Sequence, residues 1–311
     1  MSHFTVLVIG NDFEAQLAPY HEFECTGTND QYVQDEDITQ EIQDAIDKGE
    51  SIEDALGYHG LEDRIVDDES KVDTVGDKCA HKYGYAIVQD GKLIKAVNRT
   101  NPNRKWDWYQ VGGRWSGFLK LKSGANGLYG QRSWANPGED EAGYCDQGKK
   151  GDIDFDGMRN EAGDKAAKNW DLFDKHLAQF KDGFVTWSKM RERHEDIDAA
   201  RNEYHAQPLR KAMSMLSSRD GDLPEEERSF FVWLEVEDYL QTREAFIQQA
   251  RDKAIMTFAV VKDGQWFERG QMGWWGIVHD EKDQAEWNAK FNELLDGLSD
   301  DTLLTVVDCH I

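Results

Sequence analysis

The chain has 311 residues, 39% of them hydrophobic and 11% aromatic, and a formal net charge of −25. That length allows one large domain or two ordinary ones, and 11 Trp, 14 Phe and 10 Tyr supply ring area for a packed core, which excludes a wholly disordered chain. An acidic excess of this size argues against general binding to nucleic acid or to an anionic membrane, because both repel it.

The first apolar run, Phe4–Ile9, is short and β-branched and closes on Gly10-Asn11-Asp12, so it reads as a buried central strand. It has no basic flank and is too brief for a signal peptide or a membrane span, which gives the expectation of a cytoplasmic chain. Residues 11–78 hold 21 acids against Lys48, Arg64, Lys71 and Lys78. Within them Ile38, Ile42, Ala45 and Ile46 recur at helical spacing and predict a helix over Thr39–Lys48. Ser51-Ile-Glu-Asp54 is a capping-box pattern opening a second helix to Leu56, and the remainder reads as loop.

Tyr83–Val88 and Leu93–Val97 flank Asp90-Gly91, a strong hairpin signal, and a third strand is predicted through Trp115–Leu121. Residues 123–157, rich in Gly, Asn and Asp, read as a long excursion. From Met158 the apolar spacing turns helical through Phe180, and a charged helix over Phe184–His205 completes an expected helical hairpin. Helix resumes at Val236–Ala250. The order then becomes strand (Ile255–Val261), strand (Gln265–Glu268), helix (Glu281–Leu295) and strand (Thr302–Cys309). The expected fold is α+β, a mostly antiparallel ferredoxin-like sheet with a helical-hairpin insertion, both termini sharing the sheet. Expected segments are 1–135, a sheet portion; 136–205, the insertion; and 206–311, completing the sheet. Tyr85–Leu93 and Phe258–Trp266 match around Asp-Gly, followed by Val111–Trp115 and Met272–Gly276, which reads either as a pseudo-repeat or as two similar hairpins.

The charge is unevenly spread. Between Lys92 and Trp134 nine cations face the single acid Asp107, a local charge of +8 that leaves −33 on the rest. The same stretch carries Trp106, Trp108, Tyr109, Trp115, Phe118, Tyr129 and Trp134. Cations beside flat rings suit a ligand with both phosphates and bases. The candidate ligand-binding set is Arg99, Asn101, Asn103, Arg104, Lys105, Trp106, Trp108, Tyr109, Arg114, Trp115, Lys120 and Arg132, with Gly112-Gly113 letting backbone amides approach an anion. A competing reading makes the tryptophans core residues and the arginines an internal salt-bridged seam against residues 11–78.

Other chemistry is thin. Asp152-Ile-Asp-Phe-Asp-Gly157 matches half of a calcium loop, but Gly163 stands where the bidentate Glu belongs. The pairs His21/Cys25, Cys79/His81 and Cys309/His310 lack zinc-type spacing, and no cysteine pair suggests a disulfide framework. There is no GxSxG, HExxH or P-loop. His21, Glu22 and His310 near strand ends are available acid–base groups that read first as structural. No catalytic residue, metal or cofactor is assigned, and a binding protein is favoured over an enzyme.

The blocks Ser2–Gly10, Gln16–Tyr20 and Lys105–Trp115 together resemble a family of proteins carried mainly by tailed bacteriophages, a recurring pattern without an assigned activity. The resemblance implies a phage accessory protein acting on host metabolism or defence, and thus a place in the host cell cytoplasm. The expected function is therefore binding of a small nucleotide-like anion, such as a host defence signal to be sequestered. The alternatives are an acidic interaction protein imitating DNA to inhibit a host protein, and an enzyme acting on a nucleotide.

Overall fold

The structure is a computed structural model that describes residues 2–23, 30–75, 78–135, 137–219, 223–272, 278–279 and 283–311, with only the backbone at 271–272 and 278–279. The chain separates into two compact units. One comprises residues 1–153, 257–287 and 293–311; the other comprises residues 154–256 and 288–292. Helical residues 206–256, which the sequence reading joins to the sheet portion, thus group with 154–205.

The first unit opens with β1 (His3–Ile9), α1 (Phe13–Leu17), β2 (Gln34–Asp37), α2 (Thr39–Asp47), α3 (Ile52–Gly57) and β3 (Ile65–Val66). The hairpin β4 (Gly84–Gln89) and β5 (Lys92–Thr100) follows, then β6 (Trp108–Gly113). Shorter strands are β7 (Leu119–Lys120), β8 (Gln131–Arg132), β9 (Tyr144–Cys145) and β10 (Gln147–Lys149). The helical stretch carries α4 (Phe155–Leu177), α5 (Trp187–Arg193), α6 (Ile197–Ala206), α7 (Pro208–Leu216), α8 (Glu225–Val232) and α9 (Arg243–Lys253). The chain closes with β11 (Ala259–Lys262), β12 (Gln265–Glu268), β13 (Gln271–Met272), β14 (Val278–His279), α10 (Gln284–Asp296) and β15 (Leu303–His310).

The fold is α+β, but the sheets are mixed, which corrects the ferredoxin-like expectation. The main sheet runs β12-β11-β1-β15-β6-β8, with β10 also on β15. β1 is parallel to β11 and antiparallel to β15, and β6 is parallel to β8. A separate four-stranded sheet has the order β2-β5-β4-β3, with β3 parallel to β4. The two Asp-Gly hairpins therefore belong to different sheets. Their turns are alike, with Asp90 at φ 48° and Gly91 at 71°, and Asp263 at 53° and Gly264 at 71°. This is the double left-handed turn that suits the strand twist. The Met272–Gly276 segment that follows the second hairpin lies almost wholly outside the described residues.

Phe4, Val6, Val8, Val307 and Cys309 join Ala259, Val261, Leu17 and Trp106 in one buried cluster, so β1 is central as its apolar run predicts. α2 and α3 lie where the sequence places them, with Ser51 Oγ accepting the Asp54 N–H at 3.0 Å. Ile42, Leu56 and Leu61 pack with Ala86 and Ala96 of the second sheet. Three further expectations need correction. β2 lies inside the acidic segment, unforeseen because all four of its residues are polar and exposed and no apolar alternation marks it. Trp115–Gly117 is turn, and strand in that region is confined to Leu119–Lys120, while Trp108–Gly113 is the long strand. The expected helix Phe184–His205 is two, α5 and α6, with Asp196 capping the second through Asp198 and Ala199 N–H.

The helical unit has its own core, with Trp170, Phe173 and Leu177 of α4 against Leu209, Phe231 and Tyr239. The calcium-like motif is a helix start: Asp154 caps α4 by accepting the Gly157 N–H at 2.9 Å. Among the described residues no helix is long and apolar enough to cross a membrane.

Cys145 and Cys309 are fully buried. Burial, with Asp146 adjacent, pushes the Cys145 thiol up to about 12, and burial beside Asp308 and Asp107 holds Cys309 well above the ordinary thiol range. Thiol titration with Ellman's reagent at pH 8 should leave both unreacted in the native chain and count all four cysteines after denaturation. Prompt native reaction at Cys309 would contradict the packing of β15.

Candidate functional site

Strand register decides which side chains meet. His3 pairs with His310 and Thr5 with Asp308 across β1–β15, while His310 pairs with Trp108 and Asp308 with Gln110 across β15–β6. Since successive residues alternate faces, His3, Asp308, His310 and Trp108 share the face opposite the apolar cluster of Phe4, Val307 and Cys309. Cys309 and His310 thus lie on opposite faces and cannot form the metal pair their adjacency allows.

On that face two imidazole–carboxylate pairs stand together. His3 Nδ1 is 2.8 Å from Asp308 Oδ1, and His310 Nδ1 is 2.6 and 2.8 Å from the two oxygens of Asp107. The ring centroids are 4.9 Å apart. Trp108 stacks on His310 at 5.1 Å and meets the edge of His3 at 5.3 Å. An ionised carboxylate only accepts, so each Nδ1 carries the proton and donates, which leaves Nε2 as the acceptor in the neutral ring. Among the described residues neither Nε2 has a hydrogen-bond partner, and neither is a sealed, unpaired atom. Both are open.

The carboxylates are held firmly. The Asp107 N–H donates to His310 O at 3.0 Å, its carbonyl is 3.0 Å from His21 Nε2, and its Oδ1 accepts the Trp108 N–H at 2.7 Å. Asp308 is wholly buried and its Oδ2 accepts the Arg114 N–H at 2.9 Å. A second buried carboxylate, Asp146, accepts N–H groups from Gly117 (2.7 Å), Phe118 (3.3 Å) and Gly130 (2.8 Å). Gly112 and Gly113 have φ of 78° and 58°, and a Cβ at either would fall 2.5 Å from Asp146 Oδ2 or 2.3 Å from Asp308 Oδ2. The Gly-Gly turn does bring amides to anions, but the anions are the protein's own. It leaves the Arg114 side chain exposed, without an ion pair among the described residues.

The rest of the candidate set disperses. Arg99 pairs with Asp35 at 2.9 Å and donates to Thr74 O, as the seam reading expects. Asn101 is buried and holds the carbonyls of Pro19 and His21. Trp106 is core, its indole N–H on Leu17 O and its ring stacked on His21 at 4.4 Å. Tyr109 packs edge-on against it, its hydroxyl pushed up to about 12 by burial with Glu14 and Cys309 nearby. Arg132 serves Tyr129, Glu139 and Asp140 in the excursion. Trp115 is half-buried in the turn, and Lys120 lies in β7. Arg104 is exposed, donating to Thr100 Oγ1. Asn103 and Lys105 line a separate cleft of about 490 Å³ with Tyr20, Trp266, Phe267 and Glu268, where Lys105 is tied to Glu268 at 2.8 Å.

The structure therefore joins Trp108 through its ring, and Arg114 through its backbone N–H, to residues outside the candidate set: His3, Asp107, Asp308 and His310. A usable signal existed. Asp107 is the one acid in the basic stretch, and His3 and His310 end two strands expected to share a sheet. Among the described residues no group of three or more His, Cys, Asp or Glu side chains is placed to hold a metal ion. The Cys25 of the His21/Cys25 pair lies outside them. Scans of the chain against family models, curated proteins and solved structures find no match.

Burial raises the Asp146 carboxyl above the ordinary carboxylate range, outweighing its three N–H donors. A raised acid is fully tolerated only while protonated, so its contribution to stability declines as pH climbs from the unfolded value through the folded one. Asp146→Asn turns an amide toward a backbone N–H that had an acceptor, which should cost about 1–3 kcal/mol. In urea unfolding the gap between parent and variant should be widest near pH 4 and narrow toward pH 7. A gap that widens with pH would contradict the assignment.

Proposed function

We propose that this chain binds a compact, nucleotide-like phosphate anion over His3, His310, Trp108 and Arg114, and that the two imidazoles act on it as an acid–base pair. The observation that carries this reading is the pair of rings 4.9 Å apart, each with Nδ1 on a carboxylate and Nε2 without a hydrogen-bond partner among the described residues. Trp108, 43% exposed, offers a face for a base, and the Arg114 guanidinium can take phosphate oxygens in two parallel hydrogen bonds.

The chemistry follows from the dyads. A neutral Nε2 takes the proton from an attacking water or ribose hydroxyl as its oxygen bonds to phosphorus. The other ring, as imidazolium, gives its Nε2 proton to the leaving oxygen as the P–O bond breaks. Asp107 and Asp308 fix the tautomers and stabilise whichever ring is charged. Acid–base assistance of this kind contributes about 10²–10⁴-fold. In a phage setting, such as the N-terminal blocks imply by resemblance, capture or destruction of a host nucleotide signal fits the site. One observation favours an acidic surface for a host protein instead: β2 forms a sheet edge with Asp35, Glu36 and Asp37 all exposed.

Calorimetry and product chromatography with a panel of linear and cyclic nucleotides test the proposal. The expected result is salt-sensitive binding of at least one member with turnover. Turnover should fall at least 100-fold in His3→Gln or His310→Gln. Trp108→Ala should weaken binding about 5- to 150-fold, the loss of one stacked base. Binding without turnover would leave sequestration, and no binding by any member would sink both.

A further inference from the structure

The helical unit contains a second concave site of different make. Arg210, Lys211 and Ser214 on α7 and Ser217 just beyond it line a cleft of about 360 Å³, with His205 from the end of α6 and Phe231 of α8. Positions 210, 214 and 217 recur at i, i+4 and i+7, and 211 and 214 at i, i+3, so one helix face delivers them together. No carboxylate among the described residues lines the cleft; the charges of Glu237 and Glu235 reach Tyr204 beside it. Among the described residues Arg210, Lys211 and His205 have no ion-pair partner.

Arg210 is the informative member. Its guanidinium carbon lies 5.1 Å from the Tyr204 ring centroid, a cation–π contact that restrains the group. One terminal nitrogen reaches only Met213 Sδ at 3.8 Å, a weak acceptor, and Nε is enclosed without an acceptor. The Ser214 hydroxyl is also unengaged, while Ser217 Oγ donates to Ser214 O. Among the described lining residues every charged group donates. A ligand complementary to that set must supply several acceptor oxygens from one compact centre.

We propose that this cleft is a binding site for a phosphate-class dianion, with Phe231 and the neighbouring Met213 as an apolar floor for an organic substituent. The site is independent of the histidine surface and of the function proposed for it.

Titration calorimetry on the full chain, with inorganic phosphate, phenyl phosphate and chloride as probes, tests this directly. The His3→Gln/His310→Gln chain should keep one site for phosphate and phenyl phosphate, whatever the histidine surface adds in the parent, and chloride should not bind. Tighter binding of phenyl phosphate identifies a monoester as the preferred form; equal binding identifies the free anion. Lys211→Gln, at an exposed position, should weaken both at least 10-fold, and Arg210→Gln should do so wherever circular dichroism shows the fold intact. The proposal is overturned by absence of binding at millimolar probe. It is equally overturned by binding unchanged in Lys211→Gln, or by binding lost only in the histidine variants.

Discussion

The antiparallel pairing of the two ends of the chain, His3 to His310 through Ile9 to Leu304, is the contact on which the remainder rests. β11 adds to the free side of β1, while β6 and β10 add to β15, so the main sheet is assembled on this one ladder. The pairing joins residues at opposite ends of the chain, from His3 with His310 inward. Closing so long a loop is less costly than it looks, because each doubling of loop length adds only about 0.6 kcal/mol. Val6, Val8, Val306 and Val307 are all completely buried, and their transfer from water supplies the drive. The penalty falls on rate instead of stability, since a non-local ladder must wait for the chain ends to meet.

The same ladder separates two kinds of surface. One face is apolar and holds Cys309 and Tyr109 in the core; the other holds His3, Asp308 and His310. Asp308 is accommodated there because it accepts the His3 Nδ1–H and the Arg114 N–H, and Asp107 beside it accepts from His310 and from the Trp108 N–H. The basic stretch is spent in several ways. Arg99, Lys105 and Arg132 pair with internal acids, whereas Arg104 and Arg114 face solvent. The seam reading holds for Arg99 with Asp35, whereas Lys105 and Arg132 find their acids outside residues 11–78.

Legibility in the sequence followed the physical signal. β1 and β15 were readable because fully buried strands are continuous apolar runs, and the hairpins because Asp-Gly admits the left-handed turn. β2 was hidden because an exposed edge strand needs no apolar residue, and its pairing with β5 rests on main-chain hydrogen bonds and Asp35–Arg99. The parallel placement of β11 beside β1 could not be read from local pattern, since parallel and antiparallel buried strands look alike in sequence. Of the site, Trp108 and Arg114 stood out by composition. His3 and Asp308 did not, because a histidine at a strand end and an acid within an apolar run carry no motif until register places them face to face.

The central claim is that His3 and His310 each carry the proton on Nδ1 and present an open Nε2 to one ligand. Long-range ¹H–¹⁵N correlation of the imidazole nitrogens, followed through a nucleotide titration, reads both parts at once. The account predicts Nδ1–H tautomers for both rings in their neutral form and joint movement of both Nε2 resonances on ligand addition. An Nε2–H tautomer at either ring, or two rings indifferent to every nucleotide, would contradict it.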